Sequence, residues 1–262
     1  MEYRIGELVT RKSYNHDTVF KIEQIRGNEA LLKGVNMRLY ADADLSDLTE
    51  YKEMEDEVKK EDENFIDKIK SFFNRDRNEY FYLPGKVLHI DGDRDYLERC
   101  LKFYKESNIL AYGIYSKESE LPKNIRKYLE DINPDILVIT GHDAYYKKQD
   151  INNLNSYKNS YNFVNSVKEA RKYEKAHDKL IIIAGACQSD YEELIRAGAN
   201  FASSPKRINI HALDPAIVAS SIGLSDRSED IDLLGILEKT KYGKDGIGGI
   251  KTRGTMYIGY PR

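Results

Sequence analysis

Cysteine is scarce in this chain. Cys100 and Cys187 are its only two among 262 residues, too few for a disulfide framework or a cysteine-rich zinc site. That usage points to a reducing compartment, where a Cys100–Cys187 bridge is not expected. Long apolar runs are missing too. No stretch approaches the roughly 18 apolar residues of a membrane span, and residues 1–6, Met-Glu-Tyr-Arg-Ile-Gly, lack a signal peptide's apolar segment. The expectation is a cytoplasmic protein with no membrane partner. An excess of either charge is likewise absent: 41 Lys and Arg stand against 44 Asp and Glu, a formal balance of −3. There is no global basic field to favour nucleic acid. No Gly-rich phosphate loop follows a strand-like run, no cluster has metal-ligand spacing, and no internal repeat is evident, so no cofactor is expected.

Two short stretches carry the chemistry. Ile136–Thr140 and Leu180–Ala184 are apolar, β-branched runs of strand length, as in strands buried on both faces. The first is followed by Gly141-His142-Asp143, the second by Gly185-Ala186-Cys187. Between them Phe163, Val164, Val167 and Ala170 fall on one helical face, which predicts a βαβ unit with parallel strands. Ligands and catalysis gather at the carboxyl ends of such strands, where His142 and Cys187 both lie. Ser189-Asp-Tyr-Glu192 has the S-x-x-E form of a capping box, predicting a helix that begins just after the thiol and lowers its pKa toward the thiolate. Taken singly, a buried Cys is a small hydrophobe and a His beyond a strand a hydrogen-bonding residue. Their equivalent positions on consecutive strands favour a dyad. Cys100 shares a helical face with Leu97, Leu101 and Tyr104 and reads as core packing; His16, His89, His177 and His211 read as structural.

Residues 1–48 read as a small β module. Strand-like segments at 7–11, 18–25, 29–33 and 37–41, with turns at Gly27-Asn28 and Gly34, suggest an SH3-like or related barrel. From Lys52 to Glu63 ten of twelve residues are charged, so 49–82 reads as a charged linker helix, whose Phe65, Ile66, Ile69, Phe72 and Phe73 dock on one of the domains. Residues 83–262 form the second domain. Its strands at 86–91, 110–115, 136–140, 180–184 and 200–204 alternate with helices at 95–107, 124–132, the crossover helix, and one from Ser189 to a Gly198 C-cap. This alternation predicts an α/β fold with a doubly wound parallel sheet, flavodoxin-like in plan. In the tail, Asp214 reads as an N-cap with Pro215 at the first helical position, residues 231–239 as a helix, and Gly248-Gly249 with 255–258 as a terminal hairpin or edge strand.

The order of the two residues discriminates between cysteine architectures. An α/β-hydrolase elbow or a papain-like enzyme has its nucleophile before its His; here His142 precedes Cys187 by 187 − 142 = 45 residues, as in caspase-like peptidases. Residues 85–93 (GKVLHIDGD), 138–145 (VITGHDAY), 185–189 (GACQS) and 196–205 (RAGANFASSP) together resemble the YabG family of sporulation-specific proteases. Residues 3–6, 10–14, 207–215, 248–249 and 252–254 extend the resemblance to both ends of the chain; the charged linker matches poorly. The resemblance implies a cysteine endopeptidase of caspase-like architecture, made in the mother cell, that processes spore-coat and related proteins and cleaves after Arg. It makes Cys187 the nucleophile and His142 the general base and acid. Backbone N–H groups of Gly141, Asp143 and Cys187 are the expected oxyanion donors, although caspase-like enzymes commonly have Gly directly after the His and here Asp143 stands there. An Arg pocket needs a carboxylate. The position two before the Cys is Gly185, which leaves Asp91 and Asp93 as candidate selectors, with Ser203 and Ser204 lining the pocket. Arg75 and Arg77 in the linker are expected sites of self-cleavage. The alternative is a non-enzymatic assembly or binding protein with a flavodoxin-like platform.

Overall fold

The computed structural model describes residues 3–51, 54–70, 80–146 and 149–260, with the backbone alone at 54–59. The chain forms two compact units, Met1–Asn64 and Phe65–Arg262. Arg75 and Arg77 lie outside the described residues.

In the first unit β1 (Leu8–Arg11), β2 (Phe20–Arg26), β3 (Glu29–Gly34), β4 (Tyr40–Asp44) and β5 (Leu48–Glu50) form one antiparallel sheet in the order β4-β3-β2-β1-β5. Its core is Val9, Phe20, Ile22, Ala30, Leu32 and Leu48. Gly27 supplies the left-handed turn between β2 and β3. The strand expected at 37–41 starts later. Leu39 N–H bonds Met37 O and Gly34 N–H bonds Leu39 O, so residues 34–39 are consumed by a tight turn. Helix α1 (Met54–Lys70) then leads into the second unit, where Phe65, Ile66 and Ile69 enter the core.

The second unit is built on β6 (Phe81–Leu83), β7 (Val87–Asp91), α2 (Arg94–Glu106), β8 (Ala111–Tyr115), α3 (Leu121–Ile132), β9 (Ile136–Thr140), α4 (Ser160–Tyr173), β10 (Ile181–Ala184), α5 (Tyr191–Ala197), β11 (Phe201–Ser203), α6 (Asp214–Gly223), α7 (Leu233–Leu237), β12 (Ile247–Gly249) and β13 (Tyr257–Gly259). Six strands form a sheet in the order β12-β11-β10-β9-β7-β8. All neighbours are parallel except β12, which runs antiparallel on the edge. Side chains alternate between two cores. Val87, Val138, Ile181, Ile183 and Phe201 pack with α2, α6, α7 and the end of α1; Leu88, Ile90, Leu137, Ile139 and Ile182 pack with α3, α4 and Leu194 of α5. The central runs β7, β9 and β10 are wholly buried, as apolar strands covered on both faces must be. The order reverses between β7 and β9, the switch point at which α/β sheets open a crevice beyond their carboxyl ends.

Helix boundaries depart from the sequence reading where a cap has other work. Ser189 is not the cap of α5: Asp190 takes that place, its Oδ1 accepting Glu193 N–H at 3.2 Å. Asp214 is the first residue of α6 rather than its cap. Its carboxylate instead accepts the N–H groups of His211 (2.8 Å) and Lys241 (2.9 Å). Helix α7 is shorter than 231–239, because Asp232 caps it at Gly235 N–H. At the tail β12 is an edge strand, while β13 pairs with β6 in a separate two-stranded sheet. No helix among the described residues is long and apolar enough to cross a membrane.

Candidate active site

The register of β9 and β10 sets the geometry. Ile139 pairs with Ala184, so His142 and Cys187 each lie three residues beyond paired positions of adjacent parallel strands. Thr140 Oγ1 donates to Gly185 O at 3.0 Å and Tyr145 N–H to Gln188 Oε1 at 3.3 Å, tying the two exit loops together.

His142 is 8% exposed and is bracketed by acids. Its Nε2 is 3.7 Å from Asp93 Oδ2 and its Nδ1 3.9 Å from Glu118 Oε1. The Tyr96 ring lies against the imidazole, centroids 5.6 Å apart. Carboxylates on both sides stabilise the charge that appears when the imidazole takes a proton. Glu118 comes from the short turn before α3. Its Oε1 accepts His142 N–H at 2.9 Å, and it sits in a slot between two glycines: a Cβ on Gly92 or Gly141 would come within 2.3 or 2.6 Å of that oxygen. The His142 carbonyl is held in turn by Asn159 Nδ2 at 2.8 Å.

Cys187 is fully buried, and both cysteines are free thiols. Its Sγ accepts the N–H of Ile210 at 3.3 Å and lies 3.9 Å from Ile210 O, toward which the thiol can donate. Helix α5 begins four residues after the thiol, so this amide is a nearer source of polarisation than the helix terminus expected from sequence. Gln188, Ser204 and Arg207 all hold left-handed φ angles of 54–63°, backbone strain of the kind that collects at functional sites. Ser204 holds the thiol turn from outside. Its Oγ accepts Gln188 N–H at 2.9 Å and lies 2.6 Å from Ile208 O and 3.1 Å from Ala186 O. Arg207 anchors the segment leading to Ile210: Nε donates to Tyr157 Oη at 2.9 Å, and its Nη2 pairs with Glu192 and Asp190.

The remaining candidates divide by position. Asp91 ends β7 wholly buried; its Oδ1 accepts Asp93 N–H at 2.9 Å and its Oδ2 lies 3.5 Å from His89 Nε2. His89, also wholly buried, reaches Tyr104 Oη at 2.9 Å on its other nitrogen. Asp93 caps α2, with Oδ1 accepting Asp95 and Tyr96 N–H while Oδ2 turns to His142. Ser203 is buried next to Gly185, where an added Cβ would lie 3.3 Å from its own. His211, read from sequence as structural, is wholly buried with its ring 5.1 Å from that of Phe65. Sequence reasoning missed Glu118, the Ile210 amide and the side chain of Asp143. A faint signal for Glu118 was present in Gly92 and Gly141, which need no positive φ.

A parallel α/β sheet that gathers a thiol, an imidazole and several carboxylates beyond its strands has the layout of an enzyme of the open-sheet class. The chain belongs to the YabG peptidase U57 family, whose model matches residues 4–261. It is 44% identical over 286 aligned residues to the sporulation-specific protease YabG of Bacillus subtilis (strain 168), covering 100% of this chain and 99% of that relative. It is thus a peptidase of a sporulation protease family, which leaves the non-enzymatic assembly reading without support. No solved structure matches.

Proposed function

We propose that the chain is a cysteine endopeptidase that uses His142 and Cys187 as a dyad, cleaves after Arg, and processes spore-coat and related proteins in the mother cell. The observation that carries the reading is the equivalent placement of the two residues beyond β9 and β10, with the sulfur receiving an amide N–H. The thiolate attacks the substrate carbonyl, His142 protonates the leaving amine, and water, deprotonated by His142, hydrolyses the thioester. The N–H groups of Gly141, Asp143 and Cys187 are the oxyanion donors in this scheme. Of the acids proposed to meet the Arg guanidinium, Asp93 has an oxygen turned toward His142, whereas Asp91 is bonded inward; Ser203 and Ser204 belong to the adjoining β11 end. Because Cys187 is wholly buried against Ile210, substrate entry requires that segment to move. In this reading residues 83–262 are a caspase-like domain and residues 1–48 an SH3-like module, joined by the charged linker of 49–82, of which Met54–Lys70 is helical, with self-cleavage at Arg75 or Arg77.

The test is hydrolysis of a fluorogenic peptide series, with Arg or another residue before the scissile bond, by wild type, Cys187→Ala and His142→Ala. Loss of activity in both folded variants, with the Arg peptide preferred by wild type, is the expected result. Equal activity in all three proteins would sink the dyad, and indifference to Arg would sink the pocket.

A further inference from the structure

Asp143 follows His142 directly, and its side chain does not turn to solvent. It is 5% exposed. Oδ1 accepts Ala144 N–H at 2.9 Å and Asn159 N–H at 2.7 Å. Oδ2 accepts the hydroxyls of Ser189, at 2.8 Å, and of Ser160. Each hydroxyl then accepts a backbone amide from the thiol loop: Ser189 Oγ that of Ala186 at 2.9 Å, and Ser160 Oγ that of Asp190 at 2.8 Å. Both serines are wholly buried. The carboxylate therefore stands between the loop after β9, the start of α4 and both sides of Cys187. A hydroxyl that donates to a carboxylate and accepts an amide has one arrangement, so each serine transmits a fixed position from Asp143 to the amide it holds. Burying an acid in this way has a cost, visible in the upward push that burial gives the Asp143 carboxyl against the hydrogen bonds that oppose it. A group kept at such cost between two loops is spent on geometry.

We infer that Asp143 is the positioning residue of the peptidase, holding the His142 loop and the Cys187 loop in fixed relation through Ser160 and Ser189. The inference rests on the dyad reading. Misplacing reacting groups by about 1 Å lowers turnover roughly a hundredfold, so the effect falls on kcat and leaves KM nearly unchanged. Asn is the closest replacement in shape: its oxygen still accepts from Ala144 and Asn159 and its amide can donate to a second lone pair on each hydroxyl, but the two hydroxyl protons lose their acceptor.

The experiment measures kcat and KM on the Arg peptide for full-length wild type, Asp143→Ala, Asp143→Asn, Ser189→Ala and Cys187→Ala, well below their unfolding temperatures. Expected are a fall in kcat of about a hundredfold in Asp143→Ala and about tenfold in Ser189→Ala. KM should stay within about threefold, and Asp143→Asn, which keeps the Ala144 and Asn159 bonds but not the two hydroxyl bonds, should recover only part of the loss. If Asp143→Ala does not fold, Ser189→Ala decides alone. Folded variants that keep kcat within about threefold, or that lose only thermal stability or only KM, overturn the inference. Activity surviving in Cys187→Ala overturns the dyad and the inference with it; an inactive Cys187→Ala beside a normal Asp143→Ala overturns the inference alone.

Discussion

The two-glycine slot around Glu118 gives a sharp test of how His142 is held. Gly92→Ala adds one methyl carbon, which would lie 2.3 Å from Glu118 Oε1 and 2.6 Å from its carboxyl carbon. Both distances are impossible for non-bonded atoms. The glycine has no positive φ to lose, so the backbone accepts alanine and the flexible glutamate must leave. Its departure removes the 2.9 Å bond from His142 N–H and the carboxylate beside Nδ1. A hydrogen bond to a charged group is worth about 1.5–3 kcal/mol. At about 1.4 kcal/mol per tenfold, the loss corresponds to roughly a ten- to hundredfold fall in kcat/KM if the bond serves the imidazole. The assay is a double-mutant cycle of Gly92→Ala and Glu118→Ala, read by peptide hydrolysis and by urea unfolding. With Glu118 already gone the methyl has little to displace, so Gly92→Ala should be nearly silent in the Glu118→Ala background. Equal effects in both backgrounds would refute the reasoning, because the glycine would then be needed for something other than the carboxylate.

Two further outcomes follow from buried charge. Arg171 donates to Gly198 O at 2.8 Å, Leu180 O at 2.9 Å and the Asn200 side chain, and burial pulls its pKa down to about 10. Arg171→Met keeps the stem but strands these acceptors, so chemical denaturation should show a loss of about 2–4 kcal/mol, and a loss under about 1 kcal/mol would show the network to be dispensable. Asp143 predicts a pH signature. Its folded pKa is raised by burial above the ordinary value of 3.8, so its contribution to stability is fully present below that value and is lost as pH rises through the folded pKa. Asp143→Asn cannot ionise, and the difference in unfolding free energy between wild type and variant should therefore fall with rising pH in that window and be flat above it. A flat difference throughout would place the folded pKa at the ordinary value.

The parts of the fold that were legible are those where one local signal faced no competitor. Ile136–Thr140 and Ile181–Ala184 are β-branched and unbroken, and they became central strands in the register that brings His142 and Cys187 level. The Ser189 capping box misled because its serine satisfies a spacing rule, while the folded chain offers its hydroxyl a carboxylate 46 residues away; Asp190, the adjacent polar residue, took the cap. Asp214 shows the same competition, its carboxylate drawn to His211 and Lys241. Spacing rules see hydrogen-bond partners within one turn, and tertiary partners have no sequence mark. The site was half legible for the same reason. The thiol and imidazole sit at strand ends, which pattern reveals, whereas Glu118 arrives from a three-residue turn and the amide that meets Cys187 belongs to Ile210 in irregular chain.

The dispersal of these groups along the chain bears on when they can first come together. The imidazole's carboxylate neighbours precede it by 24 and by 142 − 93 = 49 residues, while the sulfur's amide donor follows it by 23. Synthesis proceeds from the amino terminus at about 5–20 residues per second, so Cys187 leaves the ribosome before Ile210 emerges to meet it. A nascent or truncated chain ending short of residue 210 carries the thiol and the imidazole yet not the amide beside the sulfur.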